Sequence, residues 1–372
     1  MSHPVHIGVY LPMRYLLFVS LVAACATDTE EPTIETVYAP NWEKCPDWGC
    51  GLNSPNIKGN YFHELDLSGE ANLEGWTVGS ARKAGVAYNI EVVQGRLKAR
   101  IRTLTPSASS AFVGSTLVPT VLAGNLLVGL EISLHRNGEA YDLTITDVER
   151  VADYWARPIH PTYAGDDPPR IESYRFSVTQ VGSMWGAVLC GGDTGEVASD
   201  RIPNGHAVLF EGERIHASTK TVRDTSSSWI NIGCAGTALA KMHLTGHTEA
   251  SQGVGFSTTI GERQTMLKML VGDYCGDGKP FTVQGQKLMW SDDRGTIDMP
   301  SYPRSELEAH WTPGGAECLQ TPRVAKNPSA QGAAKFPGGV VAAIIKECGA
   351  LPWRCPTVQP SYHLSSYNPV EQ

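Results

Sequence analysis

Between residues 85 and 151 apolar and polar positions alternate through "GVAYNIEVVQGRLKARI" and "LLVGLEISLHRNGEAYDLTITDVERV". Two-residue alternation rich in β-branched side chains predicts half-buried strands. Within it, Asn137-Gly138 accepts the positive φ values of a tight type I′ turn, so "HRNGEAYDLTI" predicts a hairpin. "IESYRFSVTQV" and "HAVLFEGERIHAS" read as further strands, beyond the Pro-rich loop "RPIHPTYAGDDPPR". The period turns helical in three places. "CAGTALAKMHL" (234–244) groups Ala238, Leu239, Ala240 and Met242, and "TIGERQTMLKMLVGDYC" spaces Ile260, Met266, Leu267, Leu270 and Val271 near 3.6 residues, with a stop at Gly272. The third, "GGVVAAIIKEC" (338–348), follows a Pro- and Gly-rich linker near 319–337. The expected fold is α+β, β-rich and disulfide-stabilised, with few short helices.

Charge excludes one class of partner. The net charge of -8 leaves no basic surface to neutralise phosphates, so nucleic acid is not expected. The start of the chain points elsewhere. "MRYLLFVSLVAAC" (13–25) has one Arg, an apolar run and small residues ahead of Cys25, which reads as a signal peptide over 1–24, too short to span a bilayer. Val22-Ala23-Ala24-Cys25 looks like a bacterial lipobox, which implies cleavage before Cys25 and a diacylglycerol on its sulfur. The acidic, Thr-rich stretch that follows predicts a disordered tether over 25–40. Ala26, where Asp acts as an inner-membrane retention signal in some bacteria, favours the outer membrane or cell surface.

Nine cysteines less Cys25 leave Cys45, Cys50, Cys190, Cys234, Cys275, Cys318, Cys348 and Cys355. An even set in an exported chain argues for disulfides rather than reactive thiols, although eight cysteines allow 105 connectivities. Short loops favour Cys45 with Cys50 and Cys348 with Cys355, leaving Cys190 with Cys234 and Cys275 with Cys318. Cys275 is therefore expected to be half of a bridge, neither nucleophile nor metal ligand.

"LVGDYCGDGKPFTVQGQKLMWSD", followed by "ELEAHWTPGGAECLQTPRV", resembles the ADYC-domain family of secreted or lipid-anchored bacterial proteins, with Gly272 in place of the first Ala. The motif is Gly272, Asp273, Tyr274, Cys275, Gly276, Asp277 and Gly278. The likeness takes in "VLCGGD", "GCAGTALAKMHLTGH" and "RQTMLKML", so that it covers 172–325, and "CPDWGCGLNSP" matches an opening common in those proteins. It implies a fold unit and a compartment but carries no activity. In the family pattern the positions of Met242 and Met266 are usually Cys, which implies that the two helices bearing them touch.

Other candidate chemistry is weak. Asp273 and Asp277 lack the EF-hand pattern, since Gln284 stands where a bidentate Glu is required; a local turn is the better reading. His243 and His247 have zinc-like spacing but neither the Glu of H-E-x-x-H nor a third ligand, and are expected on the surface. Ser80-Ala81-Arg82-Lys83 matches S-x-x-K without its companion motifs. The Trp residues, among them Trp42, Trp48, Trp155, Trp185, Trp229, Trp290 and Trp311, suit either a sugar-stacking platform or a core. No metal and no cofactor is expected.

The layout that results is a signal peptide (1–24), lipidated Cys25 with its tether (25–40), an N-terminal β-rich region (41–151), an ADYC-like domain (172–325), and a linker with a C-terminal helix and small disulfide loop (326–372). No catalytic motif is disclosed. The expectation is an envelope lipoprotein held to the membrane by its lipid, a binding or structural module for an envelope glycan or protein; the alternative is an extracytoplasmic hydrolase whose site only the fold assembles.

Overall fold

The computed structural model describes residues 52–53, 62, 64–102, 110–113, 116–153, 170–184, 186–190, 202–251, 258–284, 286–292, 305–326, 330–349, 351–356 and 364–369. Eleven strands make one antiparallel sheet: β1 (Glu64–Asp66), β2 (Thr77–Lys83), β3 (Val86–Val93), β4 (Arg96–Ile101), β5 (Val121–Ala123), β6 (Glu131–Arg136), β7 (Glu139–Asp153), β8 (Arg170–Gln180), β9 (Gly186–Val188), β10 (His206–Glu211) and β11 (Trp229–Cys234). Their order is β1-β11-β10-β8-β7-β6-β2-β3-β4-β5, with β9 on β8. The alternating stretches within 85–151 thus form strands, and the same sheet also takes in 170–180, 186–188, 206–211 and 229–234. The described residues all belong to one compact unit, Cys45–Gln372.

Three hairpins of this sheet use one device. Ala84-Gly85, Gln94-Gly95 and Asn137-Gly138 each place two successive residues at positive φ (49° and 79°, 52° and 73°, 52° and 81°), and the flanking residues pair directly across each turn. Positive φ at both central residues defines the type I′ turn, whose twist matches that of the strands. The sheet curls so that its inner face closes on itself. The β3–β4 turn is fastened to β10, because the backbone N–H groups of Gln94 and Gly95 donate to the Glu211 carboxylate at 2.6 and 3.2 Å. Leu97 N–H donates to the Tyr174 hydroxyl, which donates in turn to Glu172. Leu134, Ile145, Phe176 and Leu209 fill the interior. A wholly apolar cavity among them is too small for more than about one water molecule.

The second region holds α1 (Ala238–Leu244), α2 (Ile260–Val271) and a four-stranded antiparallel sheet of β12 (Met289–Asp292), β13 (Ser305–Thr312), β14 (Gly315–Leu319) and β15 (Leu364–Pro369), ordered β12-β15-β13-β14. Short helices α3 (Arg323–Lys326), α4 (Ala330–Lys335) and α5 (Val340–Cys348) follow β14. Thr237 caps α1; Thr259 and Glu262 form a capping box on α2, and Gly272 ends α2 in the left-handed conformation at φ 65°. The helix over 234–244 therefore starts at Ala238, after its cap. Met242 and Met266 are fully buried in one core cluster, and their helices pack together. No described helix is long and apolar enough to cross a membrane.

Disulfides join Cys190 to Cys234, Cys275 to Cys348 and Cys318 to Cys355. The expected Cys275–Cys318 and Cys348–Cys355 pairs are corrected: α5 docks its last residue, Cys348, against the turn after α2, and β14 carries Cys318 to Cys355. Short loops lose because bridging follows proximity in the fold, with Cα atoms 4.9 and 5.1 Å apart in the observed pairs. Cys25, Cys45, Cys50, the signal segment and the tether lie outside the described residues, as do Trp42, Trp48, Trp155 and Trp185.

Candidate functional site

The turn that closes α2 places each motif residue in a bond. Asp273 is buried, and its Oδ2 accepts from Lys268 Nζ at 2.5 Å and from Gly278 N at 2.8 Å. Lys268 Nζ also reaches the carbonyls of Thr219 and Gly276. Burial raises the Asp273 carboxyl pKa although Lys268 and Gly278 oppose it. Tyr274 stacks on Trp311 at 5.3 Å between ring centroids and donates to Glu308 at 2.5 Å. Cys275 is bonded to Cys348, and Asp277 caps the turn by accepting from Lys279 N. At Gly276 (φ 75°) a Cβ would lie 1.7 Å from the Gly314 carbonyl oxygen, so only Gly lets the turn meet the β13–β14 hairpin.

Glu308 organises the interior beneath Tyr274. Arg323 forks onto it at 2.7 and 2.8 Å, Arg323 N donates at 2.9 Å, and Ser366 donates at 2.6 Å while receiving the Trp311 indole N–H. Burial opposes the Arg323 charge, but Glu308 outweighs it and the pKa is raised; burial, then Glu308, drives the Tyr274 hydroxyl well above its ordinary value. These groups sit enclosed and bonded to one another, with Arg323 Nη1 left without a hydrogen-bond partner among the described residues, an arrangement that ties four segments together and offers no reacting atom to solvent. Cys275 is thus a bridge, and the Asp residues serve a turn. Glu308, Arg323 and Ser366 were not singled out by sequence. The signal available was a Glu in phase with Leu-flanked strand positions of "ELEAHW".

His243 and His247 are corrected from surface to core. His243 is fully buried, stacked on Phe210 and bonded to Thr248, and burial lowers its pKa to about 3. His247 is almost as buried, with Thr245 and Asp292 beside it. Helix α1 lies between the outer face of the large sheet and the second core, so no side of it reaches water. Ser80 and Lys83 lie in extended β2, where Lys83 donates to the Leu126 carbonyl rather than serving Ser80. Trp76, Trp229, Trp290 and Trp311 are buried and serve the core, while Trp353 is partly buried and packs against the second core cluster.

A second cluster lies on the outer face of the large sheet. Asp147, Arg175 and His206 stand opposite one another on β7, β8 and β10. His206 Nδ1 is 3.1 Å from Ser173 Oγ, and its Nε2 is 3.6 Å from Asp147 Oδ2. The members are those of a Ser-His-Asp triad, but their exposure is reversed. Ser173 is fully buried whereas the Asp147 side chain is 48% exposed, so solvent meets the carboxylate and no substrate reaches the hydroxyl. Burial lowers the His206 pKa against the pull of Glu149 and Asp147, which keeps the ring neutral at neutral pH.

Among known proteins, no curated sequence and no solved structure matches this chain. The sequence profile of the ADYC domain matches residues 124–325, just over half of the 372 residues, from the short turn before β6 through the Asp-Tyr-Cys turn to the helix that supplies Arg323. With the profile covering that span and the bonded motif lying within it, the chain belongs to the ADYC domain family.

Proposed function

We propose that this chain is a lipoprotein of the bacterial cell envelope, held through Cys25 at the outer membrane or cell surface, whose folded part is an extracytoplasmic binding or structural module for an envelope glycan or protein. The observation that carries the reading is that every cysteine among the described residues is bonded, over separations of 37 to 73 residues. Such a framework belongs to an oxidising compartment. The lipobox before Cys25 supplies the anchor, and the motif that marks the family is spent on holding the fold together, as suits a module rather than a catalyst. The hydrolase alternative gains no support from Ser173, His206 and Asp147, because the hydroxyl is the buried member.

The test is expression in a bacterial host with a palmitate analogue. The wild type is expected to take up label and to fractionate with membranes, and Cys25→Ser to do neither. A wild type that takes up no label and a mutant that stays membrane-bound would overturn the anchor.

A further inference from the structure

We propose that Asp147, Glu149 and His206 form a zinc site on the outer face of the large sheet. Each offers one ligand atom, and the three atoms lie within 4.8 Å of one another. The 3.6 Å between His206 Nε2 and Asp147 Oδ2 is beyond hydrogen-bond reach but close to the roughly 3.4 Å between two tetrahedral ligands each about 2.1 Å from a zinc ion.

The strand is built to present these carboxylates outward. Leu143 and Ile145 point into the core, and strict alternation would send Asp147 after them. A β-bulge falls between Ile145 and Asp147, leaving Thr146 as the extra residue. The phase reverses there: Val148 is buried, while Asp147 is half-exposed and Glu149 exposed. Bulges re-aim side chains in this way, often beside functional sites.

The imidazole is held as a metal ligand would be. His206 is 3% exposed, its backbone is tied to Pro203 and Ala235, and its Nδ1 lies 3.1 Å from the Ser173 hydroxyl. In the tautomer that donates from Nδ1 to the Ser173 hydroxyl, Nε2 turns a lone pair toward the carboxylates. Two acceptors then face each other across 3.6 Å, a pairing that a cation between them resolves. A nitrogen with two carboxylates suits zinc better than calcium or magnesium, which prefer oxygen alone. The fourth position faces solvent and is open to water or to a ligand from a partner. Exposed Arg175, in the same row, opposes the ion. The other cluster of potential ligands, His310 with Cys318 and Cys355, is set aside because its sulfurs are bonded to each other. The site does not depend on where the protein resides.

The test is a zinc titration of the mature, disulfide-intact chain, stripped with EDTA, in competition with a chromophoric chelator. The expected result is one saturable zinc per chain. Asp147→Asn and Glu149→Gln, which alter solvent-facing side chains, should each weaken binding roughly tenfold or more with melting temperatures of the zinc-free chains unchanged, and Arg175→Ala should tighten it severalfold. Absence of a saturable zinc, or binding that survives the double variant Asp147→Asn, Glu149→Gln, would overturn the site.

Discussion

Inside the large sheet the filling is hydrocarbon, with Leu134, Ile145 and Phe176 on the curled inner face. In the region of α1, α2 and the four-stranded sheet, Arg263, Lys268, Glu308 and Arg323 are as buried as any leucine. Neighbouring strands specify the first region through alternation and two-residue turns. The second depends on partners far apart in sequence, such as Arg323 with Glu308 and Arg263 with Glu213, Asp224 and Glu249. Hydrocarbon tolerates substitution of similar volume, whereas a buried charge tolerates only its partner. The two regions should therefore fail differently.

The largest effect is expected at Glu308. Glu308→Ala strands the Arg323 guanidinium in the core and should cost about 5 kcal/mol in urea unfolding. Replacing both partners, Glu308→Leu with Arg323→Met, should recover most of that. If the double variant is as damaged as the single one, the bond geometry rather than the stranded charge is what matters, and the contrast between the regions weakens.

Next is the pH dependence that Glu213 imposes. Burial, opposed by Arg263, raises its pKa from 4.5 to about 8, so folding takes up a proton between those values. The native state binds more protons than the unfolded one in that window, and stability therefore falls as pH rises from 4.5 towards 8, by about 4 kcal/mol. Glu213→Gln should remove this contribution. An unfolding free energy with the same slope in the variant would assign the dependence elsewhere.

The smallest expected effect is in the large sheet. At Gly138 (φ 81°) a Cβ would meet nothing within 4 Å, so Gly138→Ala should cost only the conformational penalty, about 1 kcal/mol. A thermal melt showing a loss comparable to Glu308→Ala would mean that the large sheet is as intolerant as its neighbour.

The same division decides what was legible in the sequence. Asn137-Gly138 announces its turn because Asn tolerates positive φ, and the three helical patterns become helices at Ala238, Ile260 and Val340. Ala84-Gly85 and Gln94-Gly95 make equivalent turns but escape notice, since Ala and Gln rarely adopt that conformation. The motif "GDYC" stands out, yet its partners Glu308, Arg323 and Ser366 do not, because pairings across 15 to 58 residues leave no local pattern. His243 and His247 misled for a related reason: their spacing is visible and the layers that cover α1 are not. The outward turn of Asp147 was hidden by the bulge, which reverses the alternation from which a face is read.

The disulfide pattern bears on how such a chain matures. A polypeptide threaded N-terminus first into an oxidising compartment presents Cys275 and Cys318 before Cys348 and Cys355 have arrived. Thiols that oxidise in order of arrival would join Cys275 to Cys318 and leave the last two to each other, the wrong partners in both cases. Among the described bridges, only that of Cys190 and Cys234 would form by waiting for the next comer. Were such premature bridges to form, reaching the native pairs would take thiol–disulfide exchange, through attack of a thiolate on the premature bridge. The yield of native protein would then follow isomerising capacity rather than oxidising power.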